Sequence, residues 1–374
     1  MKLSRREIVA MPAALTAAAP KNYLMFVGTY TRDASKGIYA FRFEPEAGGK
    51  LTDLGLAAET PNPSFLTIHP NERFLYAVSE VSEFRGQVSG AVTAFAIDRA
   101  SGKLKALNTV PSSGTSPCHL VVDKTQKNLI VVNYSSGSTT VLRVNADGSL
   151  GDRTGFVQHT GSGPNRQRQE GPHAHSVNLS ASNRWAVVAD LGLDEFIVYR
   201  FDAQAGTIER HSAAKVRGGL GPRHFSFHPN GKHAYGLNEM GQSVTAFQWD
   251  EAKGILTETQ TISTLPAGYK GAGNSCAEIL VHPNGRFVYA SNRGHNSLAI
   301  FSIDEKTGKL THVGNESTRG EVPRNFRIDP TGGYIVCGNQ NSGNAVVFKI
   351  DTTTGQLTPG QEVKVPFPVC FRFL

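Results

Sequence analysis

Residues 221–247 read GPRHFSFHPNGKHAYGLNEMGQSVTAF, and the fold follows from how this stretch divides. Phe225 and Phe227 alternate with polar residues, the period-two pattern of a half-buried strand. His228-Pro229-Asn230-Gly231-Lys232 breaks that strand. Asn-Gly is a strong short hairpin signal, and it predicts a type I′ turn with positive φ at both central residues. A second apolar strand runs from His233 to Leu237 and ends in Asn238-Glu239. A short polar loop then leads to a third strand, Ser243 to Trp249.

The unit recurs. Upstream copies are PSFLTIHPNERFLYAVSE from Pro63, PCHLVVDKTQKNLIVVNY from Pro117 and PHAHSVNLSASNRWAVVAD from Pro172. Downstream copies are CAEILVHPNGRFVYASNR from Cys276 and PRNFRIDPTGGYIVCGNQ from Pro323. Each is followed by a third strand rich in Val, Phe and Ile. A turn such as Gly308-Lys309-Leu310 and a weaker fourth strand come next. The spacing of roughly 45–55 residues is that of propeller blades with four strands each.

Six units are complete, and the two ends supply a seventh. Tyr23–Tyr30 matches the second strand, Gly37–Phe43 the third and Leu51 onward the fourth. The missing first strand is Pro368–Leu374. The chain is therefore expected to be all-β, a single seven-bladed β-propeller over residues 20–374. Its ring closes by pairing the C-terminal strand with N-terminal strands, which removes exposed sheet edges. No stretch keeps a helical period.

Residues 1–19 read differently. Arg5-Arg6 precedes a modest apolar run, with Ala17-Ala18-Ala19 as a small-residue cleavage region. This is the pattern of a twin-arginine export signal, which predicts a periplasmic or secreted protein; the alternative is a cytoplasmic chain with an irregular N-terminus. No other run is long enough to span a membrane. The cysteines Cys118, Cys276, Cys337 and Cys370 form no CxxC or Cys/His metal spacing, so packed, reduced thiols are expected. Net charge is +7, of which Lys2, Arg5, Arg6 and Glu7 contribute two, leaving +5. That is too mild and dispersed for a nucleic-acid partner. It is compatible with a small anionic substrate. A monomer is expected.

In a propeller the first strands line a central channel, and loops from several blades meet at its mouth, a favoured place for ligands. First-strand starts place Ser64, His119, His173, His175, Arg223, His224, Glu278, Arg324 and Asn325 there. Second-strand ends add Glu80, Asn133, Asp190, Asn238, Glu239, Asn292, Arg293, Asn339 and Gln340. His69, His228 and His282 repeat within the turn between first and second strands, which reads as structural. His119 and His224 read first as blade-packing residues, with a ligand role as the alternative. His173 and His175 alternate on one strand and are expected to share a face. Arg223, Arg293 and Arg324 need anionic partners if buried, either Glu239 and Glu278 or a substrate carboxylate or phosphate. The loop Gly163–Glu170 reads first as a solvated surface loop, with a cover over the mouth as the alternative.

RQEGPHAHSV (168–177), GPRHFSFHPNGKHAYGLNE (221–239), CAEILVHPNGRFVYASNRGHNS (276–297) and the terminal PVCFRF resemble the lactonase family of seven-bladed propellers. That family includes propeller-type 6-phosphogluconolactonases and the fungal carboxymuconate lactonizing enzyme. The resemblance covers nearly the whole chain after residue 19. It implies a metal-free site with no cofactor, whose catalytic His, Arg, Glu and Arg fall on His175, Arg223, Glu239 and Arg293. His173, His119, His224, Glu278, Arg324 and Asn238 are the candidates for substrate binding around them. Cys276 departs from the usual Pro at a blade start and touches none of the four.

Lactone hydrolysis needs a base to take the water proton, for which His is suited, and a fixed cation for the developing oxyanion, here Arg223 or Arg293. The ring oxygen then takes a proton from His175, or from Glu239 if its pKa is raised. The same residues suit the reverse, lactone-forming addition. A non-catalytic propeller binding an anionic small molecule is a further alternative. So is a metal-dependent site built from Glu80, Asp190 and Asn238.

Overall fold

The computed structural model describes residues 22–374; the leader reading at residues 1–19 falls outside the described residues. Twenty-eight strands form seven four-stranded antiparallel sheets in one continuous series. Blade 1 is the composite expected from the repeats. Pro368–Phe373 is its innermost strand, followed outward by Tyr23–Thr29, Gly37–Glu44 and Lys50–Glu59. Main-chain bonds between Leu24 and Leu374, at 3.1 and 2.8 Å, close the ring. Blades 2 to 7 span 66–111, 117–158, 174–215, 222–263, 275–317 and 323–364, each innermost strand first.

Burial explains the order. The second and third strands of each blade are nearly all buried, whereas fourth strands such as Leu357–Lys364 are exposed except at their first residue and near their end. Between blades the apolar faces meet. Trp185, Phe196 and Val198 of blade 4 pack on Phe225, Phe247 and Trp249 of blade 5. This non-directional burial is the main stabilising term of the ring.

Polar clasps add direction. His69, His228 and His282 are buried, and the Nε2 atom of each meets a carbonyl of the next blade: Gln126, Gly285 and Gly332, at 3.2, 2.7 and 2.8 Å. Their Nδ1 atoms accept the main-chain N–H two residues on. The histidine of the HPN turn is thus a blade-to-blade clasp, as its repetition implies. The turn itself departs from the type I′ expectation. Gly231 has φ +68°, while Asn230 is not in the left-handed region. The same single position is left-handed in every copy, at Glu72, Gln126, Asn183, Gly285 and Gly332. Asn230 serves instead through its side chain, whose Oδ1 accepts Lys232 N–H at 2.9 Å.

One irregularity positions the site. Nearly every first strand carries a bulge at its start. In blade 5, Pro222 pairs with Asn238 and His224 with Leu237, so Arg223 is left over. Cys118, His175, Arg324 and Val369 are left over in the same way. A bulge kinks its strand and re-aims the extra side chain. Most of these residues line the narrow polar space inside the channel.

Candidate active site

At the mouth, a cavity of about 310 Å³ is lined by Glu80, Tyr134, Arg168, His175, Glu239, Arg293 and neighbours. Its size is at the small end of the range for ligand sites. It shares Glu80, Cys118, His175 and Arg324 with a neck of about 10 Å³, room for at most a single water. Two larger clefts, about 1060 and 1080 Å³, lie around Trp185 and Trp249 and contain none of the candidate residues.

Apart from Arg168 and Ser275, the residues facing this cavity come from two repeat positions. One is the bulge just described. The other is the residue after the conserved-in-repeat polar end of each second strand: Glu80, Tyr134, Glu239 and Arg293 follow Ser79, Asn133, Asn238 and Asn292. The preceding asparagines turn into the blade. Asn238 Nδ2 donates to Ser243 Oγ at 3.0 Å and Thr245 Oγ1 at 2.9 Å, and Asn238 does not line the cavity. Asn133, Asn292 and Asn339 bond similarly to their own blade or its adjoining loop. Asp190 is also turned inward: its Oδ2 lies 2.6 Å from His159 Nδ1, and its Oδ1 accepts the main-chain N–H of His173, Gly192 and Leu193. Glu80, Asp190 and Asn238 therefore do not converge.

Glu239 is the hub. Its Oε2 lies 3.0 Å from Arg223 Nε and 2.9 Å from Arg293 Nη2, and its Oε1 accepts from Arg168 Nη2 at 2.7 Å. Burial pushes its carboxyl pKa up, but Arg293, Arg223, His175 and Arg168 pull it down and win, so it lies far below the usual carboxylate range. Glu239 is an anion throughout the neutral range and cannot be the proton donor considered from the sequence. The nearby carboxyl that burial does raise is Glu278. Glu278 Oε1 accepts His224 Nδ1–H at 2.7 Å, and its Oε2 accepts from Asn325. His224 Nε2 in turn accepts from Arg223 Nη1 at 3.0 Å, which fixes the tautomer. Arg223 Nη1 also donates to the Ala277 carbonyl.

His175 is buried, and its Nδ1 lies 3.7 Å from Cys118 Sγ. Its Nε2 makes no hydrogen bond among the described residues. Burial first, then Arg223 and His224, hold its pKa well below the ordinary histidine value. His119 and His224 are lowered as well, chiefly by burial. His119 lies tilted over Phe65, ring centroids 3.9 Å apart, and packs edge-on against His224. His173 precedes the bulge. Its ring stacks on Tyr134 at 4.5 Å while His175 meets Tyr134 edge-on at 5.2 Å, so the two histidines flank one ring. Arg324 has no carboxylate within ion-pair distance among the described residues; its Nη2 donates to Tyr30 Oη at 2.9 Å, and Tyr30 Oη donates to Glu80.

The structure thus gathers His175, Arg223, Glu239, Arg293 and Arg324 at one place. His119, His224 and Glu278 form a tier below, His173 stands behind Tyr134, and Asn238 lies within its blade. Arg168, Tyr134 and Tyr30 are additions. Tyr30 and Tyr134 were legible as occupants of the same repeat position as Glu80 and Glu239. Four guanidiniums (Arg168, Arg223, Arg293, Arg324) face two carboxylates (Glu80, Glu239) here. That surplus of positive charge suits an anionic ligand.

A family model described as "Lactonase, 7-bladed beta-propeller" matches residues 24–373. A Bacillus subtilis protein named 6-phosphogluconolactonase is 38% identical over 353 residues, covering 94% of this chain and 98% of that one. A Formosa agariphila protein of the same name is 37% identical over 312 residues, covering 82% and 86%. A crystal structure of a Pseudomonas aeruginosa protein, titled as a periplasmic gluconolactonase, superposes with TM-score 0.87 at 33% identity, covering 94% and 99%.

Proposed function

The chain belongs to the seven-bladed β-propeller lactonase family and is a lactone hydrolase, and from that premise we propose that it opens a small anionic aldonolactone at the channel mouth, with His175 as the base. The observation that carries this reading is a buried, neutral histidine beside four guanidiniums that outnumber their carboxylates. His175 Nε2 takes a proton from water as the water oxygen attacks the ring acyl carbon. Negative charge moves to the carbonyl oxygen, where Arg223, with Nη2 not hydrogen-bonded among the described residues, stabilises it. The tetrahedral intermediate collapses, the ring C–O bond breaks, and the imidazolium returns its proton to the leaving alkoxide. The product acid loses its proton to solvent, and neutral His175 is restored.

Glu239 does not exchange protons in this scheme. It aligns Arg223 and Arg293 and keeps them from repelling one another. The His224–Glu278 pair holds Arg223 from below. Arg324, held by Tyr30 and paired with no carboxylate among the described residues, adds positive charge beside the lactone.

A proton-release assay with 6-phosphogluconolactone, gluconolactone and a muconolactone decides the substrate, with His175→Ala and Arg223→Ala alongside. Turnover of a sugar lactone, reduced about 10²–10⁴-fold in His175→Ala, is expected. Variants matching wild type would remove this mechanism. The twin-arginine pattern and the likeness to a periplasmic gluconolactonase support export; fractionation should find the protein outside the cytoplasm, and Arg5→Lys with Arg6→Lys should retain it inside. The large exposed apolar residues among those described are spread over several blades, with Val88 and Leu107 on blade 2, Phe156 on blade 3, Ile255 on blade 5 and Val313 on blade 6, which supports a monomer, checked by light scattering.

A further inference from the structure

The arginine at the mouth that was not among the candidate site residues read from the sequence is Arg168. It comes from the loop between blades 3 and 4, whose backbone is tied down by Gln169. Gln169 is 1% exposed. Its Nε2 donates to Leu191 O at 2.8 Å, its Oε1 accepts Asn165 N–H at 3.1 Å, and its carbonyl accepts Gly163 N–H at 2.9 Å. The neighbouring Glu170 carboxylate lies 3.1 Å from His173 Nε2. The Arg168 backbone is therefore anchored on both sides, and its guanidinium is aimed at the mouth rather than into solvent.

Its bonding differs from that of the other two arginines on Glu239. Arg223 and Arg293 are 3% and 14% exposed and each donates to a main-chain carbonyl, of Ala277 and of Cys276. Arg168 is 44% exposed, bonds no carbonyl, and holds only Glu239 Oε1 and, at 3.3 Å, Tyr134 Oη. Glu239 carries one negative charge against three cations. If Arg168 leaves, Glu239 Oε2 keeps Arg223 and Arg293, and Oε1, at the cavity mouth, must take water in its place; of the three, only Arg168 is exposed enough to leave. The arginine end of this pair is open to solvent, which weakens it relative to the two buried pairs and lets a second anion compete for the guanidinium. The planar fork then meets a phosphate or carboxylate with two parallel hydrogen bonds.

We propose that Arg168 is a specificity-determining residue, which releases Glu239 and binds the anionic group carried on the side chain of the lactone. This rests on the lactonase reading of the same mouth and adds the selection of charged over neutral lactones. The anchored loop need not move; the side chain alone exchanges partners.

The test compares wild type, Arg168→Gln and Arg168→Lys on 6-phosphogluconolactone and on neutral gluconolactone. The ratio of kcat/KM for the charged over the neutral lactone should fall by about 10- to 100-fold in Arg168→Gln. It should recover partly in Arg168→Lys, which keeps the charge without the fork. An equal fall on both lactones overturns the proposal and makes Arg168 a support for Glu239; no change on either overturns it too. A second arm titrates inorganic phosphate calorimetrically into each protein. Phosphate that binds wild type no better than Arg168→Gln also overturns it. If wild type opens no lactone, the reaction assigned to the mouth fails, and the phosphate arm still decides the role of Arg168.

Discussion

His175 and Glu239 hold different charge states because of their surroundings, the histidine neutral and the carboxyl an anion. Burial and two neighbouring cationic or basic groups depress His175, so the neutral base persists as pH falls through 6.5. The acidic limb of kcat/KM is therefore expected below the ordinary histidine value, and a limb at or above pH 6.5 would contradict the assignment. The same shift bears on stability. His119, His175 and His224 are neutral when folded but protonate near pH 6.5 when unfolded. The unfolded state then binds more protons, so stability should decline as pH drops below about 6.5, ahead of the carboxylates. Glu239 acts in the same direction at lower pH: its pairing is fully present above its unfolded pKa and is lost only at strongly acidic pH. Replacing it by Gln leaves Arg223 and Arg293 without a counter-charge. Glu239→Gln should cost about 3 kcal/mol in denaturant unfolding, near the low end for buried pairs because the mouth is open to water.

At the scale of elements, two devices recur around the ring and serve different ends. The HPN-turn histidines join blade to blade at the pole opposite the mouth. His228→Ala removes the bonds to Gly285 O and Asn230 N–H from a buried position. It should cost about 1–3 kcal/mol, read from the denaturant midpoint, with kcat unchanged. The first-strand bulges act at the mouth. Without the extra residue, strict alternation would send Arg223 and His224 to opposite faces of the sheet. The bulge lets both reach the channel, Arg223 toward Glu239 and His224 toward Glu278. Deleting Val369, the unpaired residue in blade 1, should therefore disturb the neck without breaking the blade. A circular dichroism spectrum like wild type with a reduced kcat is the expected outcome.

For the whole molecule, closure by the C-terminal strand matters most. Pro368–Phe373 pairs with Met25–Thr29, and Phe371 is fully buried against blade 7 and the N-terminal strands. Removing residues 368–374 leaves an open edge and an unfilled seam, so the truncated chain should aggregate on expression. Phe371→Ala is the milder probe and should cost about 3–5 kcal/mol with the ring still closed. The seven-fold repeat was legible because each blade repeats one burial pattern along the chain. The composite blade was legible because its four strands are split cleanly between the termini. Within the site, Arg223, Glu239, Arg293 and His175 were legible from motif and repeat position. Asn238 was not separable from Glu239, since only the backbone turn at the strand end sends one into the blade and the other to the cavity. Arg168 stands in a loop read first as solvated, with a cover over the mouth as the alternative, and the sequence did not show that its side chain meets Glu239.

The amino-acid sequence by itself determined the all-β class, the count of blades, the mode of closure and the residue types gathered near the channel. All of these follow from local period and from repetition, which need no third dimension. The tertiary structure alone decided which polar residue meets which. Charge states belong to that second group: the depressed Glu239 and His175 and the raised Glu278 follow from burial and from guanidiniums contributed by blades 5, 6 and 7 and by the loop before blade 4. Electrostatic interactions depend on distance and on exclusion of water, and both are set only when the ring has closed.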